Sequence, residues 1–103
     1  MNSKSIENKV RRFSRDQLRA LLVFANAPNG VVDSGVMSKK LGISGKSLGG
    51  LFSSLSRQRL GGQDLIIPLG KEESGRGLRW RLNKEIVETD KLKKLIEEIF
   101  KFW

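Results

Sequence analysis

The chain has 103 residues, enough for one domain with a modest core. Twenty Lys and Arg face 11 Asp and Glu, a net charge of +9 that points to an anionic partner. With no cysteine and no histidine, disulfide frameworks, thiolate zinc sites and imidazole general bases are excluded, and no apolar run approaches a membrane span.

Residues 1–13 have weak periodicity and read as a basic arm, with Lys4, Lys9, Arg11 and Arg12. Such an arm suits DNA phosphates or the minor groove; the plainer alternative is a loose terminus. The polar start is not a signal peptide, so the cytoplasm is the expected location, on the nucleoid if the source is prokaryotic. Ser14-Arg15-Asp16-Gln17 has the capping-box pattern and starts a first predicted helix that runs to about Asn26. Leu18, Leu21, Leu22 and Ala25 share one face of it. Ala27-Pro28-Asn29-Gly30 is a turn, and Val31-Val32 is long enough for one short strand.

Asp33 or Ser34 starts a second helix that stops at Gly42, a left-handed C′ position. Ser44 is placed to cap a third helix with its hydroxyl, and Ile43 plugs the corner between the two. The third helix is expected to run to about Leu60 and end at Gly61-Gly62. Leu48, Leu51, Phe52 and Leu55 make its apolar face, and Lys46, Gly50, Ser53 and Arg57 lie opposite. Gly49-Gly50 either lets this helix approach a groove wall closely or is simply a weak point of the helix. Gly45-Lys46-Ser47 lacks the first glycine of a P-loop and follows a helix, so no phosphate-binding loop is assigned.

Leu65-Ile66-Ile67-Pro68-Leu69 reads as a strand that Pro68 restricts to an edge or a strand end. After a Gly-rich loop, Leu78-Arg79-Trp80-Arg81-Leu82 alternates strictly. Leu78, Trp80 and Leu82 should face in, and Arg79 and Arg81 out. In residues 83–103, Asn83 suits a cap, and Thr89-Asp90 can start a second helix. Leu92, Leu95, Ile99 and Phe102 have the spacing of a coiled-coil seam, widened by Ile96, Phe100 and Trp103. This points to a homodimer through the C-terminal helix, or to a helix folded back on the first one. The charge is uneven. Residues 1–30 hold six basic groups against two acids and residues 31–62 five against one, while residues 83–103 balance at five each.

Ser38, Leu41, Gly42, Ile43, Leu48 and Leu51 together resemble the helix-turn-helix of winged helix DNA-binding domains. The hairpin that follows stands where those domains carry their wing. The resemblance covers about half the chain. It implies a mainly α fold with a small β-hairpin (α+β): a winged helix-turn-helix with a three-helix core, a wing and a C-terminal helix. The parts are a basic N-terminal arm (1–13), the winged domain (14–82) and the C-terminal helix (83–103). The implied function is sequence-selective binding of double-stranded DNA without catalysis, as in a small transcriptional regulator or a plasmid- or phage-type factor. Lys46, Ser47, Gly50, Ser53 and Arg57 would lie in the major groove. Lys39, Lys40, Arg76, Arg79 and Arg81 would hold the backbone, as would Lys9, Arg11 and Arg12 of the arm. Glu72 and Glu73 oppose a hairpin tip lying flat on phosphate. No catalytic residue, metal or cofactor is assigned. The alternatives are a winged helix that binds proteins as an adaptor, or one that binds RNA.

Overall fold

The computed structural model describes residues 3–60, 62–71, 78–86 and 88–102, and it begins with a helix, α1 (Ser3–Val10). This corrects the expectation of an arm. Ile6, Val10 and Phe13 recur at four and three residues, and all three are buried in the main core. The many polar groups between them hid a single buried edge.

Beyond this corner, α2 (Arg15–Asn26) starts on the capping box. The Gln17 amide donates to Ser14 Oγ at 3.2 Å, and the Ser14 amide to Gln17 Oε1 at 2.8 Å. A turn through Pro28–Gly30, with Asn29 left-handed, leads into β1 (Val31–Asp33). The Asp33 carboxylate accepts from the Val36 amide at 2.8 Å and so starts α3 (Ser34–Leu41). Gly42 ends α3 at φ 70, its amide donating to the Ser38 carbonyl.

The next helix, α4 (Gly45–Ser56), differs at both ends from the expectation. Ser44 is extended, but its hydroxyl makes no capping bond; the residue after it, Gly45, is left-handed at φ 59. The far end comes earlier than Leu60, because Arg59–Leu60 (β2) pairs with Gln63–Asp64 (β3) in a short antiparallel ribbon. Extended backbone there gives Leu60 a buried place that a continued helix would not. Gly61 lies outside the described residues.

β4 (Ile66–Lys71) and β5 (Leu78–Leu82) complete a three-stranded antiparallel sheet of order β1-β5-β4. Pro68 lies on β4, an edge strand, where its missing N–H disrupts no central ladder. The inner face of the sheet presents Val32, Ile66, Trp80 and Leu82 to the helices. Leu78 shares that side but is 41% exposed, which corrects its inward assignment: it stands opposite Lys71, at the end of β5 where Ser34 Oγ of α3 donates to its carbonyl at 3.3 Å.

The last helix, α5 (Thr89–Lys101), follows a turn in which Asn83 is tied to the β3 ribbon and is not a helix cap. Its side-chain amide donates to the Asp64 carbonyl at 3.0 Å, and its oxygen accepts from the Glu85 amide at 3.1 Å. α5 packs on α2 of its own chain, burying Leu92, Ile96 and Ile99. The buried spacing is four and three, one step round from the seam expected at Leu92, Leu95, Ile99 and Phe102. Leu95 is half-buried on the flank, and Phe102 is 83% exposed. The stripe assigned to dimerisation is therefore mostly core. Trp103 lies outside the described residues.

The described residues form a compact α+β domain of five α-helices and a small antiparallel sheet. An aromatic line joins its layers: Phe24 of α2 meets Phe52 of α4 edge-on at 6.4 Å, and Phe52 stacks on Trp80 of β5 at 5.6 Å.

Candidate nucleic-acid interface

The face of α4 that carries chemistry follows from its buried face. Leu51, Phe52 and Leu55 are buried, and Leu48 is half-buried against the same core. At 3.6 residues per turn, Lys46, Gly50, Ser53 and Arg57 then form the outward ridge. Lys46, Ser47, Gly50 and Arg57 are exposed, and Ser53 is half-buried. Neither Lys46 nor Arg57 makes an ion pair with any described residue. An added Cβ at Gly49 or Gly50 would meet nothing within 4 Å, so no packing inside the chain requires glycine there.

The turn before this ridge is held by a contact that the sequence pattern did not assign. Ser38 Oγ donates to the Ile43 carbonyl at 2.6 Å, and the Ile43 side chain packs on the core. A small residue four before Gly42 is needed because a hydroxyl, not merely little bulk, closes the corner. Of the two lysines on α3, Lys39 lies opposite the buried Met37–Leu41 edge and points to solvent. Lys40, also exposed, borders an apolar groove with Arg19, Leu22 and Val36.

The hairpin arginines are not brought to the ridge. Trp80 faces α4, so Arg79 and Arg81 project from the other face of the sheet. Arg81 is exposed beside Arg59, Asp64 and Lys84. Arg79 is half-buried, and its Nε is buried with no hydrogen-bond partner among the described residues. Arg76, Glu72 and Glu73 lie outside the described residues.

The basic residues assigned to an arm lie on or just after α1, and two of them, Lys9 and Arg11, are already engaged. Lys9 Nζ donates to the Arg59 carbonyl at 2.8 Å. Arg11 sits between Glu7 at 3.3 Å and Glu98 of α5 at 3.8 Å. Arg12 is exposed and has no such partner among the described residues. Arg15, which the sequence pattern marked only as part of a capping box, is in the same position. Among the described residues, no group of three acidic side chains could hold a metal ion, and no helix is long and apolar enough to cross a membrane.

Comparison with protein families, curated proteins and solved structures finds no match in any of the three.

Proposed function

We propose that the chain is a winged helix-turn-helix protein that binds double-stranded DNA without catalysing a reaction, with α4 in the major groove. The observation that carries this is the outward ridge of α4, where Lys46 and Arg57 bracket small residues and neither cation has an ion-pair partner among the described residues. Two solvent-exposed cations on a helix with an apolar back leave positive charge available to an outside anion. The order α2, β1, α3, α4, β4, β5 supports the winged helix assignment. Gly42 and the Ser38–Ile43 bond support α3–α4 as the helix-turn-helix.

In this arrangement Lys46 and Arg57 donate to guanine acceptors, and Ser47 and Ser53 donate or accept at base edges or phosphates. Gly50 lets the helix axis come closer to the groove floor. Lys39 lies on the phosphates at the N-terminal end of α4. Arg79 and Arg81, on the far face of the sheet, contribute to the field more than by contact.

The test is fluorescence anisotropy with duplex DNA across a salt series, with duplex RNA as competitor. Log affinity should fall linearly with log salt, with a slope of about −0.9 per phosphate neutralised. Duplex RNA should compete poorly, because its deep, narrow major groove excludes a helix. Equal competition would favour an RNA-binding role, and no binding to either at low salt an adaptor role.

A further inference from the structure

The apolar side chains of α2 exceed what its buried face uses. Leu18, Leu21 and Phe24 are fully buried, whereas Leu22 and Val23 are only half-buried. At 3.6 residues per turn, Arg19, Leu22, Val23 and Asn26 share one face. By the same helical wheel that face points away from Gln17, whose Nε2 donates to Ser54 Oγ of α4 at 2.6 Å. It forms one wall of a groove. Val36 and Lys40 of α3 line the other wall, and Ala27 and Pro28 line the end beyond α2. Val36 is 42% exposed there. None of the lining residues lies on α4, so the groove is independent of the Lys46–Arg57 ridge and of its role.

The charge in the groove has one sign. Arg19 stands on the α2 wall and Lys40 on the α3 wall, and the described lining residues include no acid. The acids of these two helices and their caps are engaged: Asp16 lies 3.7 Å from Arg19, and Asp33 accepts from the Val36 amide at 2.8 Å. Lys40 makes no ion pair with any described residue. The Arg19–Asp16 pair is long and exposed to solvent, so it holds Arg19 weakly.

We propose that this groove docks an acidic amphipathic helix of a partner protein. The apolar side chains of that helix lie along Leu22, Val23 and Val36, and its Asp and Glu meet Arg19 and Lys40 on the two walls. The face from Arg19 to Asn26 spans about 10 Å, so two or three anchors at three- or four-residue spacing fill it. An apolar floor between two cations selects for acids flanking the anchors and against a basic helix. A second copy of this chain is a poor occupant, because it carries the same charge of +9.

The probe is a library of random peptides displayed on phage and selected on the whole chain. Enriched peptides are synthesised with a fluorescent label, and their affinity is measured by anisotropy for wild type, Val36→Asp, Lys40→Glu and Lys46→Glu. The last has the charge change of Lys40→Glu but lies on α4. Thermal unfolding checks that each variant folds. Enriched peptides should carry Asp and Glu around apolar anchors at helical spacing. Val36→Asp and Lys40→Glu should each weaken binding about tenfold or more, and Lys46→Glu by less than about threefold. Lys40→Glu carries the test if Val36→Asp fails to fold. No enrichment, or peptides that are basic or lack apolar anchors, would overturn the proposal. Equal losses in Lys40→Glu and Lys46→Glu would mean diffuse charge attraction and would overturn it too. So would a wild-type dimer that Val36→Asp dissolves in sedimentation, since the groove would then be covered by a second copy. Duplex DNA that displaces the peptide from wild type and Lys46→Glu alike would make the groove a nucleic-acid surface and overturn it as well.

Discussion

At the scale of single residues, the glycines around α4 divide into two kinds. Gly42 is left-handed at φ 70, and an added Cβ there would touch nothing. Its cost on substitution is therefore conformational, and Gly42→Ala should lower stability by about 1 kcal/mol in chemical denaturation. Gly49 and Gly50 lie inside the helix and are equally open, yet an alanine there is compatible with the backbone. Each change to Ala should raise stability by about 0.5–1 kcal/mol, seen as a higher denaturation midpoint at unchanged slope. If α4 enters a groove, the same variants should bind duplex DNA more weakly, because each new methyl group holds the helix away from the bases. Stabilised variants with unchanged binding would mean that the glycines are only a tolerated weakness. Lys46→Ala and Arg57→Ala, by contrast, should cost about 1–3 kcal/mol in binding and relax preference at particular base pairs, read by competition with single-base variants.

At the scale of elements, α5 is a structural part of the core. Leu92, Ile96 and Ile99 are buried against the same cluster that holds Leu18 and Leu21 of α2. Truncation after Asp90 removes all three, so it should abolish cooperative unfolding instead of leaving a folded shorter domain. Ile96→Ala alone should cost about 2–5 kcal/mol in the same assay, whereas Phe102→Ala, at an exposed position, should cost little. These elements also show what was legible in the sequence. The start of α2 and the end of α3 could be read because their signals are local: a capping box at Ser14-Gln17 and a glycine at position 42. Pro68 marked an edge strand for the same reason. The fate of α5 could not be read, because spacing shows that a helix has an apolar stripe but not what covers it. Leu92 and Ile99 fit both a seam at Leu95 and Phe102 and a core face at Ile96, and only the position of α2 decides between them. For α1, three apolar residues among charged ones were too few to outweigh polarity, and their burial depends on a core built from distant parts of the chain. The outward ridge of α4 was legible because it is the complement of a strong apolar face. The roles of Lys9 and Arg11 were not, since they depend on Arg59 and Glu98, which are distant in sequence.

At the scale of the whole molecule, burial and charge lead to the same stoichiometry. Residues 83–103 balance five basic groups against five acids, and Leu92, Ile96 and Ile99 of their apolar stripe are buried within the chain. The exposed large apolar side chains among the described residues are Val36, Leu69, Leu78 and Phe102, with Leu69 and Leu78 on the hairpin and the other two on or beside separate helices. Exposed apolar side chains of this number are usual on monomers. The excess charge, meanwhile, lies in the first 62 residues, where five Lys and Arg on and after α3 accompany six on and around α1 and α2. With eleven basic groups against three acids, this part of the chain repels a second copy of itself and favours a polyanion. On the proposed DNA-binding role, a monomer with one such ridge would have no reason to select a palindrome, because half-site symmetry in DNA mirrors two-fold symmetry in the protein. Sedimentation should therefore give the mass of one chain at micromolar concentration, with or without Phe102→Ala. Selection from random duplexes should return a short, asymmetric motif bound by one protein per site. A palindromic motif with two chains per duplex, half-sites about one helical turn apart, would show that the chain pairs on DNA through a surface other than the buried stripe of α5.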